Sequence, residues 1–368
     1  MKTKFHFITL LIVILGGVTF VSCSGDDDND TKDNKETIEG VWALESNPYA
    51  VNIDIPWDAA FGETYIKYDK DGTINLYEAY YNKDMKLLHV ISDVNTYAYS
   101  VDLKNGKLTV TGGPKAGTYT RKNESQVSDI INYEPYRTFK INNAEFKMIK
   151  VLGGTFTMGC DNPEGDLTNP EYYGPEHQVT LSTYYIAETE TTQGLWMALM
   201  DEANPSVNVG FYKPVDNVSW LDCQDFISAL NDKTGEKFSL PTEAQWEFAA
   251  RGGTQSKGYK YAGSDNIRDV AWYLDNSSGV SHVVKSKMPN ELGIYDMTGN
   301  EVEWCLDGNN KYTSESQIDP VSPPNSGNYM QRGGNMRFND WMCLPYMRYF
   351  GFQSNKIGGV GFRLALAI

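Results

Sequence analysis

A chain of 368 residues has room for two domains and at least one sizeable core. Its composition, 40% hydrophobic, 13% aromatic and 22% charged, is that of a folded protein. A formal net charge of −16 argues against nucleic acid or an anionic membrane face as partner, and for solubility.

The segment Met1 to Ser22 has the layout of a secretory signal. Lys2 and Lys4 give a positive start, and Phe7 to Val21 gives an apolar run. That run is short for a membrane span and is interrupted by Gly16-Gly17. Phe20-Val21-Ser22-Cys23 then puts a small residue before a cysteine, which is similar to a bacterial lipobox. Acyl chains on Cys23 would give stable anchoring. Residues 23–36 read as a disordered acidic tether headed by Asp26-Asp27-Asp28-Asn29-Asp30, because such a run has nothing to bury. An acidic run directly after the cysteine is similar to the surface-export signal of some Gram-negative lipoproteins. The expectation is a lipid-anchored protein on an outer membrane or cell surface.

Residues 37–136 read as short strands without a long helical period. Val41 to Leu44 opens the set, and Thr64 to Tyr68 and Tyr97 to Leu103 alternate. Asp71-Gly72 and Asn105-Gly106 are hairpin turn pairs, each followed by a strand-like run, Thr73 to Tyr80 and Lys107 to Thr111. Gly117 to Arg121 adds a weaker strand. A small all-β antiparallel barrel or sandwich is the natural solution. The opening Gly40-Val41-Trp42 is similar to small lipocalin-like domains of bacterial lipoproteins, and His89 reads as a surface residue.

The second domain is placed at residues 146–368, after a stretch around Pro135 that reads as a boundary. Val151 to Gly159 is a glycine-punctuated entry strand, and Pro175 to Leu181 leads into another. Glu190-Thr191-Thr192-Gln193 starts a helix with Leu195, Trp196 and Leu199 on one face. Ser219 caps a second helix, whose Cys223, Phe226, Ile227 and Leu230 follow the spacing i, i+3, i+4, i+7. In Leu240-Pro241-Thr242-Glu243-Ala244-Gln245-Trp246-Glu247-Phe248-Ala249-Ala250-Arg251-Gly252-Gly253 a third helix has both ends specified. Thr242 and Gln245 have the capping-box spacing, and Glu243 suits the positive end of the dipole. Gly252 or Gly253 can take the left-handed conformation that ends a helix. Ala244, Trp246, Phe248 and Ala249 make an apolar surface too broad for one stripe, so this helix should be wedged inside its domain.

This third-helix sequence closely resembles the hallmark of the formylglycine-generating-enzyme family, also called sulfatase-modifying-factor domains. Further similarities follow in collinear order: the Phe156-Thr157-Met158-Gly159 strand, Gly293 to Trp304, Arg332-Gly333-Gly334-Asn335, and Gly361-Phe362-Arg363. The resemblance implies a mixed α/β fold, rich in glycine and turns and related to C-type lectins. It also implies chemistry: family enzymes oxidise a sulfatase cysteine with copper held by two cysteines five positions apart. Here Cys343 matches the second, while Phe338 stands in place of the first and cannot ligate a metal. A soft metal needs paired thiolates, so copper is not expected. His6, His89, His177 and His282 lack helical ligand spacing, which leaves no iron site, and no nucleophile elbow or phosphate loop is present.

Two classes of function remain. One is a non-catalytic surface module that binds a protein or glycan; the other is a copper-dependent oxidase carried by Cys343 and an unrecognised partner. The resemblance places a ligand groove at Trp341, Tyr346, Arg348 and Tyr349, among further aromatics at Phe338, Phe350 and Phe352. Of the four cysteines left after Cys23, Cys305 and Cys343 form the favoured disulfide, because both occupy positions that are often cysteine in non-catalytic relatives. Asp296, Asn300, Glu301 and Glu303 crowd around Gly299, an oxygen-rich set that suits a hard cation. The resemblance assigns a structural calcium to the side chains of Asp296 and Glu303 and the carbonyls of Gly299 and Glu301.

Overall fold

In the computed structural model, residues 134–163 and 172–368 are described in full, together with the backbone of seven strands between residues 40 and 122. The secretory segment, the acidic tether with Cys23 and both expected hairpin turns lie outside the described residues. The chain divides into two units, Met1–Tyr133 and Glu134–Ile368.

In the first unit the strands are β1 (Gly40–Leu44), β2 (Phe61–Tyr68), β3 (Ile74–Tyr81), β4 (Leu87–Asp93), β5 (Ser100–Lys104), β6 (Lys107–Thr111) and β7 (Gly117–Lys122). They form one antiparallel sheet in the order β4-β3-β2-β1-β7-β6-β5. Tyr68 pairs with Ile74 and Lys104 with Lys107 at the strand ends. Strand β4, which carries His89, was not expected, since Leu87-Leu88-His89-Val90-Ile91 is an apolar run without alternation.

The second unit starts earlier than Phe146. Tyr136–Ile141 (β8) and Ala144–Val151 (β9) are a hairpin turned at Asn142, whose φ is 52°. Phe146 therefore lies within a strand, stacked on Phe139 at 5.4 Å. The following strands are β10 (Gly154–Met158), β11 (His177–Leu181) and β12 (Tyr184–Ala187).

Helix α1 (Gln193–Leu199) is capped by the Thr192 hydroxyl. Helix α2 (Trp220–Thr234) has a reciprocal capping box between Ser219 and Asp222, and it ends at Gly235 with φ 73°. The four residues predicted to face inward, Cys223, Phe226, Ile227 and Leu230, are its buried ones. After β13 (Phe238–Ser239) comes helix α3 (Glu243–Ala250), with the expected box between Thr242 and Gln245 and left-handed glycines at 252 and 253. Every residue of α3 except Gln245 is buried, so the helix is wedged inside its unit.

The remaining strands are β14 (Val302–Gly308), β15 (Gln317–Ile318), β16 (Asn328–Arg332), β17 (Tyr349–Phe352), β18 (Val360–Phe362) and β19 (Ala365–Ala367). Three small sheets result, ordered β10-β11-β15, β13-β19-β12-β9-β8 and β17-β16-β14-β18. One core cluster centres on Trp196, Phe226, Trp304 and Phe362; a second joins α3 through Trp246 and Phe248 to Ile186, Cys305 and Met330. The turn before β14 requires glycine. Gly299 has φ 75°, and a Cβ there would lie 2.3 Å from Trp272 O.

Candidate functional site

The first turn of α3 is the centre of a buried charge network. Glu243 accepts from Arg348 Nε at 2.7 Å and Nη2 at 2.9 Å, and from Arg332 Nε at 2.9 Å. One turn later, Glu247 accepts from Arg332 Nη2 at 2.6 Å, from Arg251 Nε at 2.9 Å and from Gly159 N at 3.0 Å. The Tyr312 ring lies 3.9 Å from the Arg348 guanidinium carbon. Burial alone would raise the Glu243 carboxyl, but the two guanidiniums hold it at about 2. Asp307 accepts the Glu243 amide at 2.7 Å, and burial, with the Glu243 charge beside it, pushes it up to about 7.

This geometry takes Arg348 out of the expected ligand groove. Arg348 is only 2% exposed and is spent on Glu243, so it presents no charge to solvent. Trp341, Tyr346 and Tyr349 are half-buried against Cys343, Leu344 and Met347. The outward aromatics are Phe350 and Phe352, which alternate on β17 with the buried Gly351. Tyr172 approaches Phe350 at 6.2 Å between ring centroids.

The expected disulfide is also corrected. Cys160, Cys223, Cys305 and Cys343 are all free thiols. Cys305 packs under α3, whereas Cys343 sits in a third cluster with Tyr261, Val270 and Tyr273. Burial pushes both thiols up.

The oxygen-rich loop before β14 is wholly interior. Glu303 is bound at both oxygens by Arg363, at 2.6 and 2.7 Å, and also accepts from Trp246 Nε1 at 2.7 Å. Asp296 Oδ2 accepts from Lys285 N at 2.8 Å, while its Oδ1 is buried without a partner. Glu190, which sequence reasoning used only to mark a helix start, turns out to belong here: it accepts from Asn300 Nδ2 at 2.8 Å and Glu301 N at 3.0 Å. Glu190, Asp296 and Glu303 thus converge on the single guanidinium of Arg363, and burial with the two neighbouring carboxylates raises Glu190. Burial likewise pushes Asp296 up to about 6. Beside this group lies a cleft of about 450 Å³, lined by Phe146, Phe211, Tyr212, Glu188 and Lys285 among others. The Glu188–Lys285 ion pair, at 2.8 Å, joins residues too far apart in sequence to be seen as partners.

A family model described as the sulfatase-modifying factor enzyme 1-like domain matches residues 135–368. The chain belongs to this family. The chaperone protein LppX of Paenibacillus barcinonensis is 31% identical over 209 residues, which is 43% of this chain and 71% of that protein. The formylglycine-generating enzyme of Streptomyces coelicolor is 32% identical over 171 residues, which is 41% of this chain and 52% of the enzyme. The chain therefore spans about half the length of that enzyme. Among solved structures, Treponema denticola variable protein 1 matches with a TM-score of 0.58 and 28% identity, over 64% of this chain and all of that one.

The two metals associated with the sulfatase-modifying-factor family fare differently against these residues. Copper does not fit: the Phe338 ring packs on Tyr349 at 5.2 Å, and Cys343 is closed in among apolar side chains with no second thiol in its cluster. Calcium fits better, because Asp296 Oδ1 is an orphaned oxygen beside two further carboxylates, Glu190 and Glu303, and the three acids face one guanidinium.

Proposed function

We propose that the family domain of this chain is a non-catalytic module that binds a protein or glycan, held at a cell surface by lipid on Cys23. The observation that carries this reading is Phe338 packed where the oxidase needs its first thiolate. The outward pair Phe350 and Phe352, with Tyr172 beside it, supplies a contact surface of the kind that anchors interfaces. The relative named as a chaperone is in keeping with a family member that works by binding.

Incubated with copper and a cysteine-containing peptide, the protein is expected to leave the thiol at the level of a protein-free control. Phe338→Cys is expected to gain copper(I) binding without turnover. Peptide oxidation by the unmodified chain, abolished by Cys343→Ser, would overturn the non-catalytic reading.

A structural calcium ion at Asp296 and Glu303, with the carbonyls of Gly299 and Glu301, is part of the same proposal. At 100 times its dissociation constant, an ion that binds only the folded state stabilises by roughly 2.7 kcal/mol. For a unit of this size the melting temperature should rise by about 5–10 °C. Asp296→Ala is the variant to compare, since removing Glu303 would also strand Arg363. A melting point equally indifferent to calcium and to a chelator would remove this site.

A further inference from the structure

One buried carboxylate is left over by every network above. Glu301 is 0% exposed, and neither of its side-chain oxygens has a hydrogen-bond partner. Its backbone belongs to the loop before β14, and its side chain joins neither the Arg363 ion pair nor the Asp296 bond to Lys285 N. It faces Ser281 and Asp216.

The fold builds this juxtaposition from three separate segments. His282 N donates to Asn300 Oδ1 at 2.9 Å, which pins the loop carrying Ser281 beside Glu301. Asn208 Nδ2 donates to Ser281 O at 2.9 Å and latches that loop from its other side. Asp216 is held by Val207 N at 3.1 Å on one oxygen and Gly359 N at 2.9 Å on the other. Gly361 closes the arrangement, since a Cβ there would meet Val215 O at 2.3 Å and lie 4.0 Å from Glu301 Cβ.

The chemistry at this point is unbalanced. Ser281 is itself 0% exposed, and its hydroxyl, the side-chain donor that acts on Glu301, makes no well-formed hydrogen bond to it. Asp216, only 1% exposed, adds a second carboxylate and no donor. Arg337, the cation that acts on Glu301, donates its Nε to Gly279 O at 3.3 Å and pairs with neither acid. Buried carboxylates without donors are costly unless a cation or proton accompanies them.

We propose that Glu301, Ser281 and Asp216 form a binding site for a hard divalent cation. The donors are all oxygen, and two of the three residues are acids, which selects calcium-like ions over soft metals. Glu301 as a bidentate ligand, one Asp216 oxygen and the Ser281 hydroxyl make roughly four of the six to eight oxygens calcium takes, with water completing the shell. The loop of residues 277–284 is the cover, so binding should tighten it between its two pins. This site uses the Glu301 side chain, whereas the calcium position proposed above uses only its carbonyl.

That difference makes the test clean. The full chain, stripped with chelator and dialysed against calcium, is analysed for bound ions by atomic emission, alongside Glu301→Gln, Ser281→Ala and Asp296→Ala. Glu301→Gln keeps the carbonyl and the shape, and is expected to lose one ion per chain or to weaken it at least tenfold. Ser281→Ala should weaken the same ion by a smaller factor. The Glu301→Gln loss should add to that of Asp296→Ala in the double variant. An unchanged ion count and affinity in Glu301→Gln overturns the proposal, and so does a wild-type chain that binds no divalent ion. In either case Glu301 carries a proton instead, and Glu301→Gln should melt no lower than wild type. Loss confined to Asp296→Ala would retain the calcium position proposed above and sink this one alone.

Discussion

Replacing Glu243 with alanine is expected to lower the melting temperature of the Glu134–Ile368 unit by about 6–20 °C. Glu243 is the partner that Arg348 holds with two bonds and that Arg332 shares with Glu247. Its removal leaves a guanidinium in the interior with no acid partner, held by the carbonyls of Tyr172 and Asn310, the Met330 sulfur and the faces of Tyr172 and Tyr312. Breaking a buried pair from one side costs about 3–5 kcal/mol, because the surviving charge cannot return to water. Glu243→Gln keeps the shape and some of the bonds, so it should fall between wild type and alanine. A shift below about 3 °C in Glu243→Ala, read by circular dichroism at neutral pH, would mean the network is not what holds α3 in place.

The same residue predicts an acid limb. Its carboxyl titrates near 2 in the folded state against 4.5 for the free group, so folding keeps it ionised. That stabilisation is present in full above about pH 4.5 and is lost as the pH falls toward 2, to an extent of roughly 3 kcal/mol. Glu243→Gln should flatten this limb.

What could be read from the sequence was mostly local. The Thr242–Gln245 capping box, the Ser219 cap and the inward face of α2 are each set within a few residues, and each matches the structure. Arg348 was misread for the opposite reason. Among Tyr346, Tyr349 and Phe350 it looks like an interface anchor, and the partner that buries it lies 105 positions away. The hairpin of β8 and β9 was passed over because Pro135 suggested a linker, although Tyr136 to Ile141 does alternate in burial. Cys305 and Cys343 looked like a pair from their positions alone, and only the packing shows them in different clusters. At the acidic loop, composition revealed the oxygen-rich character, while the division of labour was hidden. Glu303 answers Arg363, Asp296 keeps a free oxygen, and Glu301 turns to another part of the fold.

Trp246→Ala is the second change expected to have a large effect, because this side chain ties three parts of the unit together. It is fully buried in the cluster that joins α3 to Ile186, Cys305 and Met330. Its indole nitrogen donates to Glu303 at 2.7 Å, on the same oxygen that receives Arg363 Nε at 2.6 Å. A Cβ on Gly333 would lie 3.2 Å from the indole, so β16 and the loop after it close directly on its ring. Truncation removes the packing and leaves a cavity, at a cost of about 3–5 kcal/mol. It also takes one hydrogen bond from a buried carboxylate, worth about 1–3 kcal/mol more. Trp246→Phe should separate these contributions, since it keeps most of the apolar volume and loses the bond. The expected order of melting temperature is wild type, then phenylalanine, then alanine, with the larger step between the last two. Equal losses in both variants would assign the stabilisation to the Glu303 bond and not to the packing of α3.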